Sequence, residues 1–266
     1  MIGKTEKYHY SVVLLRQMIK TDFKLRYQGS VLGYLWSLLK PLALFTILYL
    51  VFVKFLRFGD ALPYFASYLL LGIILWSFFT EVTTSGLNAI VGRGDMLRKL
   101  SFPRYVVVLS TAASAFINLA INLGVLAVFM VIQGVQLRVA ALWLPLILIE
   151  LFMLAVGFGF LLSALYVRYR DISHIWEVFL QGLFYATPII YPTSLIPQKY
   201  AGYLLLNPIA QLIQDARYSL ITPSTQTLAH LSGFRMYAIP LAITLVVSVC
   251  SAFYFKKRSK FFAEEI

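Results

Sequence analysis

The chain has 266 residues, of which 60% are hydrophobic and 13% are charged, and its formal net charge is +12 at pH 7. A soluble globular protein is excluded, because soluble domains carry about 25% charged residues. The surplus cations are spread over short segments between long apolar runs, where they would face anionic lipid headgroups rather than nucleic acid. We therefore predict a membrane protein without a nucleic-acid partner.

Six apolar runs are long enough to cross a membrane as helices. A hydrocarbon layer of about 30 Å requires about 20 helical residues, because no water is available there to bond the backbone. The runs are residues 34–53, 64–90, 105–132, 141–166, 174–191 and 237–255. Of the 23 Lys and Arg residues, 17 lie on one side, counting Lys40 within the first run, and 6 lie on the other. Because basic loops face the cytoplasm, residues 1–266 are predicted to form one all-α domain of six spans with both termini cytoplasmic.

Residues 8–28, ahead of the first run, have the pattern of an amphipathic helix. Apolar side chains recur at helical spacing, and Arg16, Lys20 and Lys24 form a second, basic stripe. Such a helix lies in the membrane interface with its cations towards the lipid phosphates. An ordinary cytoplasmic helix packed on a partner protein is the alternative.

The connection between the second and third runs, residues 92–104, combines basic and apolar side chains. This pattern predicts a short cytoplasmic helix that ends before Pro103, since the residue before a proline disfavours the helical conformation. A short, exposed and partly apolar helix is suited to docking a soluble partner, whereas a plain charged connector is the alternative. The candidate docking residues are Arg93, Met96, Leu97, Arg98, Lys99, Leu100 and Arg104.

Few polar side chains interrupt the spans. Asn118 and Asn122 lie on one face of the third run, where they form a helix-packing seam or line a pathway. Glu150, in the outer half of the fourth run, is a candidate for a polar cavity, because an ionisable group at membrane depth usually faces protein or water. Glu81 and Glu177 are expected to pair with basic loop residues.

The segment between the fifth and sixth runs, residues 192–236, is predicted to be external, yet it contains two substantially apolar stretches. Each stretch is too short to span, and such runs fit re-entrant or interfacial helices. We predict a re-entrant helical hairpin that acts as an external gate, with a cap lying flat on the membrane as the alternative. The candidate gate residues are Asn207, Pro208, Asp215 and Arg217.

Aromatic residues make up 16% of the chain. Trp and Tyr at the membrane interfaces, together with core packing, account for many of them. Others open the first span, lie in the second or close the fifth, and their flat faces suit the C–H faces of sugar rings in a polymer that must slide. These candidates for a pore lining are Tyr34, Trp36, Trp76, Phe78, Phe79, Phe184, Tyr185 and Tyr191.

Residues for catalysis or metal binding do not cluster in the sequence. His9, His174 and His230 have no second histidine or cysteine at the spacing of metal ligands, and the acids of the spans are scattered. An intramembrane enzyme is therefore disfavoured, and we predict no catalytic residue, metal site or cofactor in this chain. The hairpin and the 92–104 connection also argue against a purely structural scaffold.

Several stretches resemble those of one protein family. Residues 22–41 (Asp-Phe-Lys-Leu-Arg-Tyr-Gln-Gly-Ser-Val-Leu-Gly-Tyr-Leu-Trp-Ser-Leu-Leu-Lys-Pro) are similar to the opening signature of polysaccharide-type ABC-2 transporter permeases. Residues 97–104 are similar to the cytoplasmic coupling segment of that family. The stretches at 166–171, 186–192 and 207–217 occur at comparable places, so the resemblance covers nearly the whole chain.

The resemblance implies a half-transporter. Two copies of the chain would form the transmembrane pore, and two copies of a separate ABC ATPase subunit, which binds ATP and Mg²⁺, would power it. The family exports lipid-linked glycans, such as O-antigen, capsule or teichoic-acid precursors, across the bacterial inner membrane. We therefore expect a multi-pass permease for a lipid-linked polysaccharide, a transport subunit that is not itself an enzyme.

By analogy with the family, the helix at 8–28 and the segment at 92–104 contact the ATPase, and the 192–236 hairpin gates the outer exit. Lys20, Lys24 and Arg26 are then candidates for attracting a lipid pyrophosphate at the cytoplasmic opening, because cations near an interface gather anionic headgroups. A permease for a small hydrophobic compound or drug is the alternative. A closed apolar pocket would favour that alternative over the wide aromatic channel of a glycan exporter.

Overall fold

A computed structural model describes residues 4–26, 32–33, 35–55, 63–99 and 102–265 of the chain. Every regular element in these ranges is helical, which confirms the prediction of an all-α protein. A π-helical segment, Leu50–Phe55, continues the second helix. The α-helices are α1 (Lys4–Arg26), α2 (Leu35–Tyr49), α3 (Phe65–Ala89), α4 (Gly94–Lys99), α5 (Tyr105–Ile132), α6 (Leu144–Arg168), α7 (Ile172–Ala186), α8 (Gln198–Leu204), α9 (Pro208–Leu220), α10 (Leu228–Ser232), α11 (Ala238–Arg258) and α12 (Phe262–Glu265).

Five of the described helical stretches are long and apolar enough to cross a membrane, as a multi-pass membrane protein requires. The five stretches are Leu35–Val53, Phe65–Ala89, Tyr105–Ile132, Val139–Arg168 and Phe234–Arg258. They coincide with the first, second, third, fourth and sixth of the runs predicted from the sequence. The long apolar runs are therefore sufficient to locate the main helices.

The fifth predicted run, 174–191, differs from the structure. Helix α7 has 15 residues and ends at Ala186, so it is about 22 Å long at 1.5 Å per residue. The chain leaves the helix at Thr187, which is extended (φ −95°, ψ 136°) and precedes Pro188. A proline ring clashes with a helical conformation of the residue before it, which explains the early end. The predicted run is therefore a short helix followed by a turn.

Helix α3 is the centre of the bundle, because it is buried along most of its length and packs against α5 and α6. Glycine allows α3 and α6 to approach closely, since a Cβ on Gly86 would lie 2.9 Å from the Cα of Gly159. Small residues at such crossings let helices pack tightly in a membrane, where hydrophobic attraction between helices is absent. Helices α2 and α7 also contact α3. The central helix therefore touches most of the bundle.

The two ends of the bundle are built differently. At one end, which we name the α4 end, α1, α4 and α12 join α5, α6 and α11 in an apolar cluster that includes Met18, Leu97 and Phe262. At the opposite end, the α9 end, the 192–236 segment forms α8, α9 and α10. Eleven of the 13 residues of α9 are buried, and α9 contacts α3, α6 and α11. Helix α9 is therefore part of the core.

Helix α1 packs along α5 with a different face from the one that the sequence pattern indicates. Ser11 and Met18 are buried, whereas Val12, one of the recurring apolar residues, is 54% exposed. Arg16 and Lys20 are exposed. Helix α1 thus uses the neighbouring face to join the α4 end and leaves part of the predicted stripe exposed. Its position in a membrane interface stays a prediction.

Candidate functional site

Two adjoining cavities lie beside α3, on the side that carries α2 and α7. The larger, cavity A, has a volume of about 860 Å³ and lies between α2, α3 and α5. Its walls are largely apolar, but they include indole rings, amides, hydroxyls, a lysine and a carboxylate, and they belong to helices that can cross a membrane. Cavity A is lined by Trp36, Ser37, Lys40, Pro41, Leu44, Ile74, Trp76, Ser77, Phe78, Thr80, Glu81, Ser85, Asn118, Leu119 and Asn122.

The smaller, cavity B, has a volume of about 570 Å³ and lies between α2, α3 and α7. It shares Leu44, Trp76 and Thr80 with cavity A, so the two cavities meet at these side chains. The other residues that line cavity B are Thr84, Leu87, Asn88, Ser173, Trp176, Glu177, Leu180, Gln181, Phe184 and Tyr185.

The two asparagines of α5 connect the polar groups of cavity A. The Nδ2 of Asn118 donates to Oε1 of Glu81 at 2.8 Å. The Nδ2 of Asn122 donates to the backbone carbonyls of Asn118, at 2.8 Å, and of Ser37, at 3.3 Å. Asn122 therefore fixes the start of α2 against α5, while Asn118 orients the Glu81 carboxylate. Both asparagines thus line cavity A and join helices, and their role in a transport pathway stays a prediction.

Two buried polar atoms of cavity A, Oδ1 of Asn118 and Oγ1 of Thr80, have no hydrogen-bond partner within the described part of the chain. Polar groups without partners are costly in a membrane, and both atoms are buried behind the cavity surface, so a polar ligand or water reaches them only when neighbouring side chains move. Lys40 on the same walls adds a cation, and two indoles add flat apolar faces. This combination suits a ligand rich in hydroxyl groups, because each hydroxyl both donates and accepts.

Aromatic rings continue from the shared wall of the cavities towards α7. The ring of Trp76 lies 5.7 Å from that of Phe184. Trp176, which is not among the predicted pore aromatics, stacks 5.2 Å from Phe179 and donates its indole N–H to Oγ1 of Thr83 at 3.2 Å. These contacts attach α7 to α3 and make aromatic faces a large part of the wall of cavity B.

The predicted pore aromatics separate into two groups. Phe79 is completely buried in the core, which corrects its predicted pore position, because one helical step turns it about 100° away from Phe78. Tyr191 is half-buried and donates its hydroxyl to the backbone oxygen of Tyr185 at 3.0 Å, and Tyr34 lies outside the described residues. Those that line a cavity are Trp36, Trp76, Phe78, Phe184 and Tyr185.

The acids of the α9 end lie apart from the cavities. Glu150 is half-buried between α6 and α11, where Oγ1 of Thr244 lies 3.5 Å from its carboxylate. Asp215 accepts hydrogen bonds from Gln211, at 2.5 Å, and from the hydroxyl of Tyr237, at 2.7 Å. Burial raises the pKa of the Asp215 carboxyl above its usual range, and these two bonds oppose the shift. Glu150, predicted to lie at a polar cavity, lines neither cavity A nor cavity B. The carboxylates that line them belong to Glu81 of α3 and Glu177 of α7.

Arg217 is fully buried and attaches α9 to the rest of the bundle. Its guanidinium donates to the backbone carbonyls of Tyr68 at 3.0 Å, Pro188 at 2.6 Å and Ile189 at 2.6 Å. It also lies 3.7 Å from the centroid of the Tyr68 ring. We name this set of contacts the arginine clamp. It joins α9 to α3 and to the turn that follows α7, and charge-assisted bonds of this kind are strong.

Asn207 and Pro208 define the start of α9. The side chain of Asn207 accepts a hydrogen bond from the backbone N–H of Ile209 at 3.1 Å, and Pro208 occupies the first helical turn. Both residue types are favoured at these positions, because the cap satisfies an unpaired N–H and proline has none to satisfy. The Nδ2 of Asn207 also lies 3.4 Å from Oγ1 of Thr187. A second contact thus joins α9 to the end of α7.

The candidate docking residues at the α4 end differ in exposure. Arg98 and Lys99 are exposed, and Met96 and Arg104 are partly buried. Leu97 is 5% exposed and packs in the apolar cluster of the α4 end, which corrects its expected surface position. Leu100 lies outside the described residues. Helix α4 therefore has an exposed basic side and a buried apolar anchor.

An ion pair connects α1 to the segment that precedes α4. The guanidinium of Arg93 pairs with the carboxylate of Asp22, which also accepts a hydrogen bond from the hydroxyl of Ser110 at 3.0 Å. Arg93 is therefore engaged within the chain. Lys20 of α1 is exposed, whereas the side chains of Lys24 and Arg26, predicted to attract a headgroup, lie outside the described part of α1.

The sequence model of one family, described as "ABC-2 type transporter", matches residues 13–221, which is more than half of the chain. The chain belongs to the ABC-2 type transporter family. The O-antigen export system permease protein RfbA of Klebsiella pneumoniae is 28% identical over 239 residues, 88% of this chain and 92% of the relative. RfbA of Myxococcus xanthus is 28% identical over 266 residues, 98% of each chain. The polysialic acid transport protein KpsM of Escherichia coli is 24% identical over 247 residues, 89% of this chain and 91% of the relative.

Membership of the ABC-2 family makes the chain a membrane transport subunit, and the family implies an ABC ATPase as its partner. The matched residues include the lining of both cavities, the arginine clamp and α4. Helices α11 and α12 follow the matched region.

Proposed function

We propose that this ABC-2 protein is the permease subunit of an exporter that moves a lipid-linked polysaccharide from the cytoplasm across a bacterial inner membrane. The observation that carries the proposal is the pair of indole-walled cavities that meet at Trp76, whose largely apolar walls also carry amides, hydroxyls, a lysine and carboxylates. The relatives named for O-antigen export and polysialic acid transport support the substrate class. A small hydrophobic compound or drug would not need the amides, lysine and carboxylate of cavity A, which are costly in a membrane.

One chain supplies half of the path in this proposal, and a second copy supplies the rest. Helices α2 and α7, which flank the cavities, carry strongly exposed apolar residues such as Ile47, Ile175 and Val178. A homodimer that packs around these helices would bring the cavities of both copies to one axis. Symmetric pairing of identical chains is the commonest form of assembly, which supports this arrangement.

The α4 end faces the cytoplasm in the proposal, together with both termini. Helix α7 would be the sixth membrane-embedded helix, and α8 and α9 a re-entrant hairpin that returns from the outer side. Irregular backbone at membrane depth needs internal partners, and the arginine clamp supplies donors to two carbonyls of the turn after α7. Asn207, Asp215 and Arg217 would then hold the outer gate on the bundle.

The energy comes from the partner ATPase, which binds ATP and Mg²⁺. Its docking site would include Arg98 and Lys99 of α4, and Leu97 would pass the movement into the α4 end. The Asp22–Arg93 pair would carry the movement to α1. ATP can drive export only if the ATPase binds the inward and outward states of the permease with different affinities.

A sliding polymer requires a wall with many weak contacts. Indole and phenyl faces pack against sugar rings without a fixed hydrogen-bond geometry, while the asparagines, Thr80 and Lys40 exchange bonds with successive hydroxyl groups. The exposed Lys20, with its neighbours Lys24 and Arg26, would attract the lipid pyrophosphate to the cytoplasmic opening.

The test is purification of the chain from its native membranes in mild detergent. We expect a stoichiometric ABC ATPase to co-purify, and we expect lipid-linked polysaccharide to stimulate ATP hydrolysis. Cells without the chain should lose the polysaccharide from their surface. A homo-oligomer that retains no ATPase after crosslinking, or stimulation by small hydrophobic compounds alone, would contradict the proposal.

A further inference from the structure

The chain turns back on itself after its last long helix. A turn at residues 259–261 ends α11, and α12 follows. The Nη2 of Arg258 donates to both carboxylate oxygens of Glu265, at 2.8 and 3.0 Å. This ion pair holds α12 against the end of α11.

Two adjacent phenylalanines, one at the end of this turn and one at the start of α12, have opposite environments. Phe262 is 0% exposed, whereas Phe261 is 47% exposed. The ring of Phe262 lies 5.4 Å from that of Phe255 in α11, and the Phe255 ring lies 4.9 Å from that of Phe160 in α6. A series of aromatic contacts therefore runs from α12 into two of the long helices.

The same buried phenylalanine also supports α4. Helix α12 contacts α4, and Phe262 and Leu97 belong to one apolar cluster. A helix of six residues is not stable alone, because fixing its first turn requires more free energy than its few hydrogen bonds return. The position of α4 therefore depends on its packing partners, among them α12 and, through the Asp22–Arg93 pair, α1.

We infer that α12 is a positioning element for energy coupling: Phe262 and the Arg258–Glu265 pair hold α4 where movement of a docked ATPase reaches α6 and α11. This inference rests on the proposed function, in which α4 receives the ATPase. Phe262 acts through Leu97 and touches neither nucleotide nor polysaccharide. When α12 is loosened, the ATPase still binds the exposed side of α4. Its movement then displaces α4 alone and no longer reaches α6 and α11.

The experiment compares two matched pairs of variants in the full permease–ATPase complex in proteoliposomes. Phe262→Ala is compared with Phe253→Ala, at an exposed phenylalanine of α11, and Glu265→Lys with Glu264→Lys. The readouts are ATPase bound per permease, ATP hydrolysed, and lipid-linked polysaccharide transferred per ATP. We expect Phe262→Ala and Glu265→Lys to lower transfer per ATP at least about fivefold with the ATPase still bound, as for a lost coupling between sites.

Each outcome decides the inference. The controls should keep the wild-type ratio, and Phe262→Leu, which restores an apolar side chain, should recover most of the coupling. If Phe262→Ala does not fold, Glu265→Lys decides, because Glu265 is exposed. Wild-type transfer per ATP in both test variants would overturn the inference and leave the proposed function intact. If the wild-type permease binds no ATPase, the proposed function is refuted, and the inference with it.

Discussion

Replacing Arg217 with methionine removes the arginine clamp and keeps a long, unbranched side chain at that position. The change deletes three hydrogen bonds to backbone carbonyls and the contact with the Tyr68 ring. It leaves the carbonyls of Pro188 and Ile189 without their guanidinium donor. Because these carbonyls belong to the turn after α7, the contact between that turn and α9 should weaken first.

The magnitude follows from the number of bonds and from their burial. A hydrogen bond to a charged group contributes about 1.5–3 kcal/mol, so three such bonds set an upper limit of about 5–9 kcal/mol. The methionine variant recovers the desolvation of a buried cation, which offsets several kcal/mol of that loss. We therefore expect the free energy of unfolding to fall by about 2–4 kcal/mol.

The assay is reversible unfolding of the purified protein in mixed micelles. Arg235→Met is the matched control, because Arg235 is exposed, and it should leave the free energy of unfolding nearly unchanged. Arg217→Lys should give an intermediate loss, since one ammonium group cannot reproduce the fork of a guanidinium. Equal stability of Arg217→Met and Arg235→Met would refute the reasoning that the clamp holds α9.

Three further predictions concern the same bundle. Gly72→Ala should lower the free energy of unfolding by about 1–3 kcal/mol, because the new Cβ would clash with the Arg217 guanidinium. Gly124→Ala is the control and should leave that free energy nearly unchanged in the same unfolding assay, because the space around Gly124 is open. Trp76→Ala should lower polysaccharide export about tenfold or more without loss of ATPase binding, whereas export by Trp76→Phe should stay near wild type. Equal export by the two variants would mean that the aromatic ring at position 76 plays no part in export. Arg93→Asp should lower the free energy of unfolding by about 1–3 kcal/mol, and the exchanged pair Asp22→Arg with Arg93→Asp should recover part of it; no recovery would mean that the ion pair contributes nothing.

The local patterns of the sequence predict the long helices well. The run at 105–132 is α5 residue for residue, because an apolar stretch flanked by Arg104 and by a Gln-Gly turn leaves little freedom in where the helix begins and ends. The early end of α7 is not predicted, because the apolar character of 174–191 favours one continuous helix. Pro188 is the local signal that marks where the helix ends.

The side-chain partners could not be predicted, because they lie far apart along the chain. Arg217 bonds to the backbone carbonyl of Tyr68, 149 residues away, and a backbone carbonyl leaves no mark in the sequence. Phe78 and Phe79 have the same chemistry, and only the rotation of α3 against its neighbours decides which one lines cavity A. Local patterns thus identify elements, while the site depends on how those elements pack.

The central claim is that the exported polysaccharide moves through cavities A and B. A photo-crosslinking amino acid in place of Thr80, which lines both cavities, tests it in cells that are exporting the polymer. The control is the same amino acid in place of Val128, which is 58% exposed on α5 and lines neither cavity. After irradiation, the account predicts a permease–glycan adduct at Thr80 and none at Val128, detected by immunoblot and mass spectrometry. Active export without an adduct at Thr80, or equal adducts at both positions, would contradict it.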